Sequence, residues 1–196
     1  MLPERRFAGG VAGWVNCASS RMSTHRNIYL VGPMGSGKTA VGKQLARLLG
    51  VPFVDSDTEI ERRTGADIPL IFEKEGEAGF REREREVIAE LTQRRGVVLS
   101  TGGGAILKEE NRRQLQAGGV VVYLETSIAQ QAARVRDGEN RPMLNGQDTT
   151  QRLTELMAHR APLYREVAAL TVRTDGRRVR DVAEEILREV DRILPP

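Results

Sequence analysis

Residues 32–39 read Gly-Pro-Met-Gly-Ser-Gly-Lys-Thr, and no other stretch of the chain constrains its fold as much. The apolar run Asn27–Val31 precedes them and ends at a glycine, which predicts a buried strand. The segment Lys38–Leu49 follows, with Val41, Leu45, Leu48 and Leu49 at helical spacing and Gly50 as the stop. In such a strand–loop–helix unit the glycines let successive backbone N–H groups turn inward, where they cradle phosphate oxygens. The positive end of the helix adds to the attraction. Lys38 would reach the β- and γ-phosphates and Thr39 would give its hydroxyl to Mg²⁺, so ATP or GTP with Mg²⁺ is expected.

The rest of the chain repeats the strand–helix alternation. Apolar runs near 51–54, 97–100, 120–124 and 170–174 read as four more strands, each continuous rather than alternating. That pattern predicts a parallel five-stranded sheet covered by helices on both faces. Helices are expected around 59–63, 68–75, 77–95, 108–116, 127–136, 150–167 and 179–194. Residues 1–26 show neither period and read as an N-terminal extension, with 27–196 as one domain. Gly9, Gly10, Gly13 and Asn16 interrupt the only apolar stretch of that extension, against a signal peptide.

Composition removes several function classes. The 196 residues hold one cysteine, Cys17, which excludes an intramolecular disulfide or a Cys-based zinc cluster. Two histidines, His25 and His159, do not make a His-rich metal site. No run approaches the ~20 apolar residues of a membrane span. The net charge of +3 does not by itself call for nucleic acid, and the few aromatics are scattered. Only Lys38, Lys43, Lys74 and Lys108 of the 30 cations are lysine. That bias is genomic composition, or else some arginines read planar anions with their bidentate fork.

Three further features carry candidate chemistry. Asp55-Ser56-Asp57 ends the second strand, and ligands of open parallel sheets bind beyond the strand ends. Alternation would put Asp55 and Asp57 on the same side of an extended strand end. One can hold a magnesium-bound water while the other accepts a proton from, or orients, an attacking hydroxyl; the bland alternative is helix capping. Gly102-Gly103-Gly104 marks either close backbone approach to a ligand or a tight turn. The loop 138–148 carries Arg141-Pro142 and reads either as a lid that brings Arg141 onto a transferring phosphoryl group or as a solvated loop. Arg81 and Arg160 are candidates of the same kind, with a solvated helix position as the alternative.

Taken in order, GPMGSGKT, DSD, GFRERE around Arg81, STGGG, RPML at Arg141 and HRAPLY at Arg160 resemble the shikimate kinases, from Asn27 to about Leu194. The resemblance implies a nucleoside-monophosphate-kinase-like fold, a parallel sheet of order 2-3-1-4-5 with a mobile lid. It implies transfer of the γ-phosphoryl group of ATP to the 3-hydroxyl of shikimate, on the route to chorismate and aromatic amino acids. By the same resemblance Gly35, Ser36, Gly37, Lys38, Thr39 and Ala40 hold the ATP phosphates. Thr39 looks like the direct Mg²⁺ ligand and Asp55 like the carboxylate that reaches it through water. Asp57 resembles the residue that binds substrate hydroxyls and can act as base, and Arg81 and Arg160 the pair on the substrate carboxylate, with Gly103 adding a backbone contact. Arg141 is similar to the lid arginine and Arg134 to the residue against adenine, with Arg177 a second adenine neighbour. A cytoplasmic monomer acting on ATP and shikimate, without nucleic acid or membrane, is expected. The rival readings are a gluconate or nucleoside-monophosphate kinase of the same fold and a nucleic-acid-associated module.

Overall fold

The computed structural model describes residues 26–136 and 149–193. The loop 138–148 with Arg141, and the extension up to residue 25, lie outside the described residues. Five strands, β1 (Ile28–Val31), β2 (Phe53–Asp55), β3 (Val98–Ser100), β4 (Val120–Glu125) and β5 (Leu170–Arg173), form one parallel sheet of order β2-β3-β1-β4-β5. The predicted order and direction are therefore what the chain adopts.

Alternation along the central strands separates two cores. Ile28 and Leu30 of β1, with Val120, Val122 and Leu124 of β4, pack under α1 (Lys38–Leu49) and α7 (Val179–Ile193). Tyr29, Val31, Val121 and Tyr123 point the other way. They meet α2 (Ser56–Thr64), α3 (Ile68–Leu91), α4 (Glu109–Gly118) and α6 (Thr149–Val167). Both faces of β1 and β4 are thus buried, which is why their sequences are apolar without a break. The short α5 (Ile128–Arg136) follows β4.

Three boundaries differ from the sequence expectation. The second strand starts at Phe53 rather than Val51, since Pro52 has no N–H to give and contributes only its carbonyl, to Val98 N at 3.0 Å. The two helices expected at 68–75 and 77–95 run as α3, broken by non-helical backbone at Gly76 and ending at Leu91. The Thr92 hydroxyl donates to the Ile88 carbonyl at 2.9 Å and occupies an end group of that helix. A single 3-10 turn over Ala105–Leu107, not foreseen, tucks Ala105 and Ile106 into the core immediately after the three glycines.

Candidate active site

One cavity of about 880 Å³ opens beyond the carboxyl ends of the strands, and the phosphate loop forms one wall of it. Gly37 caps α1 with φ of +92°, left-handed backbone that glycine adopts without a Cβ penalty. It turns the loop so that the helix N-terminus faces the cavity. Lys38 lies over this loop, its Nζ donating to the carbonyls of Gly32 at 2.7 Å and Pro33 at 2.8 Å. Arg134 reaches across from α5 and donates to the Gly35 carbonyl at 2.6 Å. Gly35, Gly37, Lys38, Thr39, Ala40 and Arg134 all line the cavity, whereas Ser36 is buried beneath the loop.

The two aspartates do not share an extended strand end, and that expectation is corrected. Helix α2 starts at Ser56, so Asp55 is its N-cap and accepts from the Asp57 backbone N–H at 3.1 Å. Asp55 also accepts from the Thr39 hydroxyl at 3.1 Å, which sets a carboxylate and a hydroxyl side by side at the mouth of the phosphate loop. Asp57, in the first helical turn, lines the same cavity. Asp55 is therefore the cap and also faces Thr39, while Asp57 caps nothing. Enclosure by protein, with Asp55 and Glu84 nearby, pushes the Asp57 carboxyl up to about 7, against the pull of Lys38 and Arg81.

A second part of the cavity wall could hold an anion. Arg81 is buried on α3, and its Nη1 donates to Glu84 Oε2 at 2.6 Å while Nη2 reaches Glu77 at 3.2 Å. Burial works against the Arg81 charge, but the two carboxylates outweigh it and raise its pKa. Arg160, buried on α6, is shifted down from the ordinary guanidinium value, first by burial and further by the Arg81 cation. Two buried guanidinium groups that repel each other are stabilised by a carboxylate brought between them. The triple glycine fits this wall closely. A Cβ on Gly104 would run into the Arg81 guanidinium, and one on Gly102 would stand 2.6 Å from Glu84 Oε1 and 2.7 Å from Asp57 Oδ1. Gly103 also lines the cavity.

Arg177 does not line it; that side chain pairs with Glu185 at 2.5 Å and donates to the Arg173 carbonyl at 3.1 Å. Glu84 is the site residue that sequence reasoning missed. It is fully buried, and its Oε1 has no hydrogen-bond partner among the described residues. The only signal was its i,i+3 spacing from Arg81, and in the run Arg81 to Glu86 such spacings are too many to single one out.

A family model described as shikimate kinase matches residues 34–191. The chain belongs to the shikimate kinase family. A shikimate kinase of Pseudomonas syringae pv. tomato is 56% identical over 171 residues, 87% of this chain and 99% of the relative. Among solved structures, a shikimate kinase of Acinetobacter baumannii in complex with shikimate superposes with a TM-score of 0.85 at 53% identity, covering 87% of this chain and 96% of its own. The enzyme of Aquifex aeolicus gives 0.74 at 36% identity over 84% of this chain and 96% of its own. The expected fold class is thereby matched within the family as well as by the sheet order.

Proposed function

We propose that this cavity transfers the γ-phosphoryl group of ATP to the 3-hydroxyl of shikimate, with a separate task for each wall. The observation that carries the reading is the meeting, in one cavity, of a phosphate loop, the enclosed Asp57 and two buried arginines. Phosphoryl transfer asks little covalent chemistry of a protein, so positioning and charge neutralisation dominate.

Backbone N–H groups of Gly35 to Ala40 hold the phosphates, and Lys38 neutralises charge on the β- and γ-oxygens. Thr39 and Asp55 offer the hard oxygens that suit Mg²⁺, Asp55 through water. Bound there, Mg²⁺ supplies charge neutralisation to the nucleotide phosphates. Arg81 and Arg160 grip the shikimate carboxylate, Gly103 adds a backbone contact, and Asp57 orients the hydroxyl for in-line attack. A loose transition state needs little activation of that hydroxyl, so orientation is the larger part of what Asp57 contributes. Arg134 lies against adenine, while Arg177, which does not line the cavity, keeps its adenine role from the resemblance alone. The lid role of Arg141 and the loop 138–148 rests on the family resemblance alone, since both lie outside the described residues.

The enzyme of this proposal is a monomer acting on ATP and shikimate. No helix among the described residues is long and apolar enough to cross a membrane. The need for ATP points to the cytoplasm, and the small net charge of +3 calls for no nucleic-acid partner.

The test is ADP release measured by coupled assay with shikimate, gluconate and nucleoside monophosphates as acceptors. Shikimate alone should be turned over efficiently. Arg81→Lys and Arg160→Lys keep the charge but lose the fork, so each should raise the shikimate KM about tenfold or more. The ATP KM should stay nearly constant; a shift there instead would move these arginines to the nucleotide side.

A further inference from the structure

Tyr164 lies one helical turn beyond Arg160 on α6 and is fully buried. Its hydroxyl donates to the Gly103 carbonyl at 2.5 Å, and the Arg160 side chain is hydrogen-bonded to the same phenol. The ring is stacked on Tyr123 of β4, with centroids 5.0 Å apart and planes inclined by 14°. One phenol therefore joins the sheet, the glycine turn and an arginine of the anion wall.

A phenol has one proton to give and lone pairs to receive. Giving the proton to Gly103 turns the lone pairs toward Arg160, so both partners are fixed by a single rotor. The glycine turn needs such support, because three residues without side chains have no rotamers to lock and must be held through backbone groups. On its other flank the Gly102 N–H donates to the Ser56 hydroxyl at 2.9 Å, beside Asp57. Ser56 and Tyr164 thus hold two successive residues of the turn through their backbone groups. The stack on Tyr123 keeps the phenol from swinging away.

We infer that Tyr164 is a positioning residue for the carboxylate end of the substrate, locking the Gly103 backbone and the Arg160 guanidinium in one register. The inference rests on the reading of Arg160 and Gly103 as substrate contacts. A plain core role for Tyr164 is separable from it, because the ring and the hydroxyl can be varied independently. Tyr123 supplies the internal control: its hydroxyl is buried without a hydrogen-bond partner among the described residues, in the same stack.

Tyr164→Phe, Tyr123→Phe and Arg160→Lys should be compared in the full chain. The readouts are KM for shikimate and for ATP, melting temperature, and the preference for shikimate over an analogue whose carboxylate is reduced to an alcohol. Tyr164→Phe keeps the stack and should raise the shikimate KM about tenfold, the scale of one hydrogen bond to a charged group. It should leave the ATP KM within about twofold and shrink the preference for the carboxylate, while Tyr123→Phe moves none of these. If Arg160→Lys weakens shikimate and Tyr164→Phe does not, the inference is overturned and the substrate reading stands. If neither variant weakens shikimate, the reading of Arg160 fails and takes the inference with it. Equal loss toward both substrates with a lowered melting temperature would reduce Tyr164 to a core residue and likewise overturn the inference.

Discussion

The Arg81 guanidinium donates to the Glu84 carboxylate across 2.6 Å, one turn apart on α3, with both groups buried at the wall of the cavity. Glu84 has no exposed surface, so its burial is costly, and that burial raises its pKa against the pull of Arg81 and Arg160. The pair makes sense as an aiming device, since a buried ion pair contributes little net stability but is costly to break. Glu84→Gln removes the charge at nearly constant volume. Arg81 would then lean toward Glu77, which it already reaches at 3.2 Å. The shikimate KM should rise several-fold. The stability loss should fall below the ~3–5 kcal/mol usual for a broken buried pair, because Glu77 remains. Steady-state kinetics and urea unfolding of the same preparation check both parts; an unchanged KM would mean that Glu84 does not aim Arg81.

Lys38 donates to two carbonyls of its own loop and packs into neither core. Lys38→Ala should therefore leave the melting temperature within a few degrees of wild type. Turnover should fall by about 100-fold or more, the scale for losing one preorganised donor to transition-state charge. Turnover like that of wild type in the purified variant would remove Lys38 from the chemistry.

Gly104→Ala places a methyl where the Arg81 guanidinium now lies. The obstacle is the far end of a side chain that can lean toward Glu77, so the methyl disturbs the Arg81–Glu84 pair without displacing backbone. Binding should suffer more than folding: a higher shikimate KM, a nearly constant ATP KM, and a modest drop in melting temperature. Gly103→Ala meets only ordinary contacts, the nearest being Met34 N at 3.5 Å, and should be the milder change for stability.

The Asp57 carboxyl is raised from 3.8 to about 7 by burial, then by Asp55 and Glu84. A carboxyl whose folded pKa lies above its unfolded value binds its proton more tightly in the folded state. Its contribution to stability is complete below the unfolded pKa and is lost as pH rises through about 7. In the absence of substrates and with chelator present, wild type should lose stability relative to Asp57→Asn between mildly acidic pH and pH above about 7. Melting temperatures of the two proteins across that window give the answer. Parallel curves would show that Asp57 is ionised throughout.

How much the sequence determined depends on the range of the interaction. The strand-to-helix turn at Gly32–Thr39 and the apolar runs of β1 and β4 are written locally, in glycine positions and unbroken hydrophobicity, and they sufficed for the sheet and its phosphate wall. Asp55 and Asp57 were legible as a pair, but not which of them caps α2. That followed from where α2 begins, because an N-cap turns its carboxylate onto the backbone and the next turn points elsewhere. Arg81 was visible while Glu84 was not, since Arg81 to Glu86 alternates in charge and only packing against the core decides which carboxylate is buried. Tyr164 and Gly103 are 61 residues apart, and no periodicity reports such a contact. Local pattern fixes which elements form and which face turns inward. Which side chains from different elements meet in the cavity was decided by the tertiary structure, because it alone brings distant backbone and buried charge within hydrogen-bonding distance.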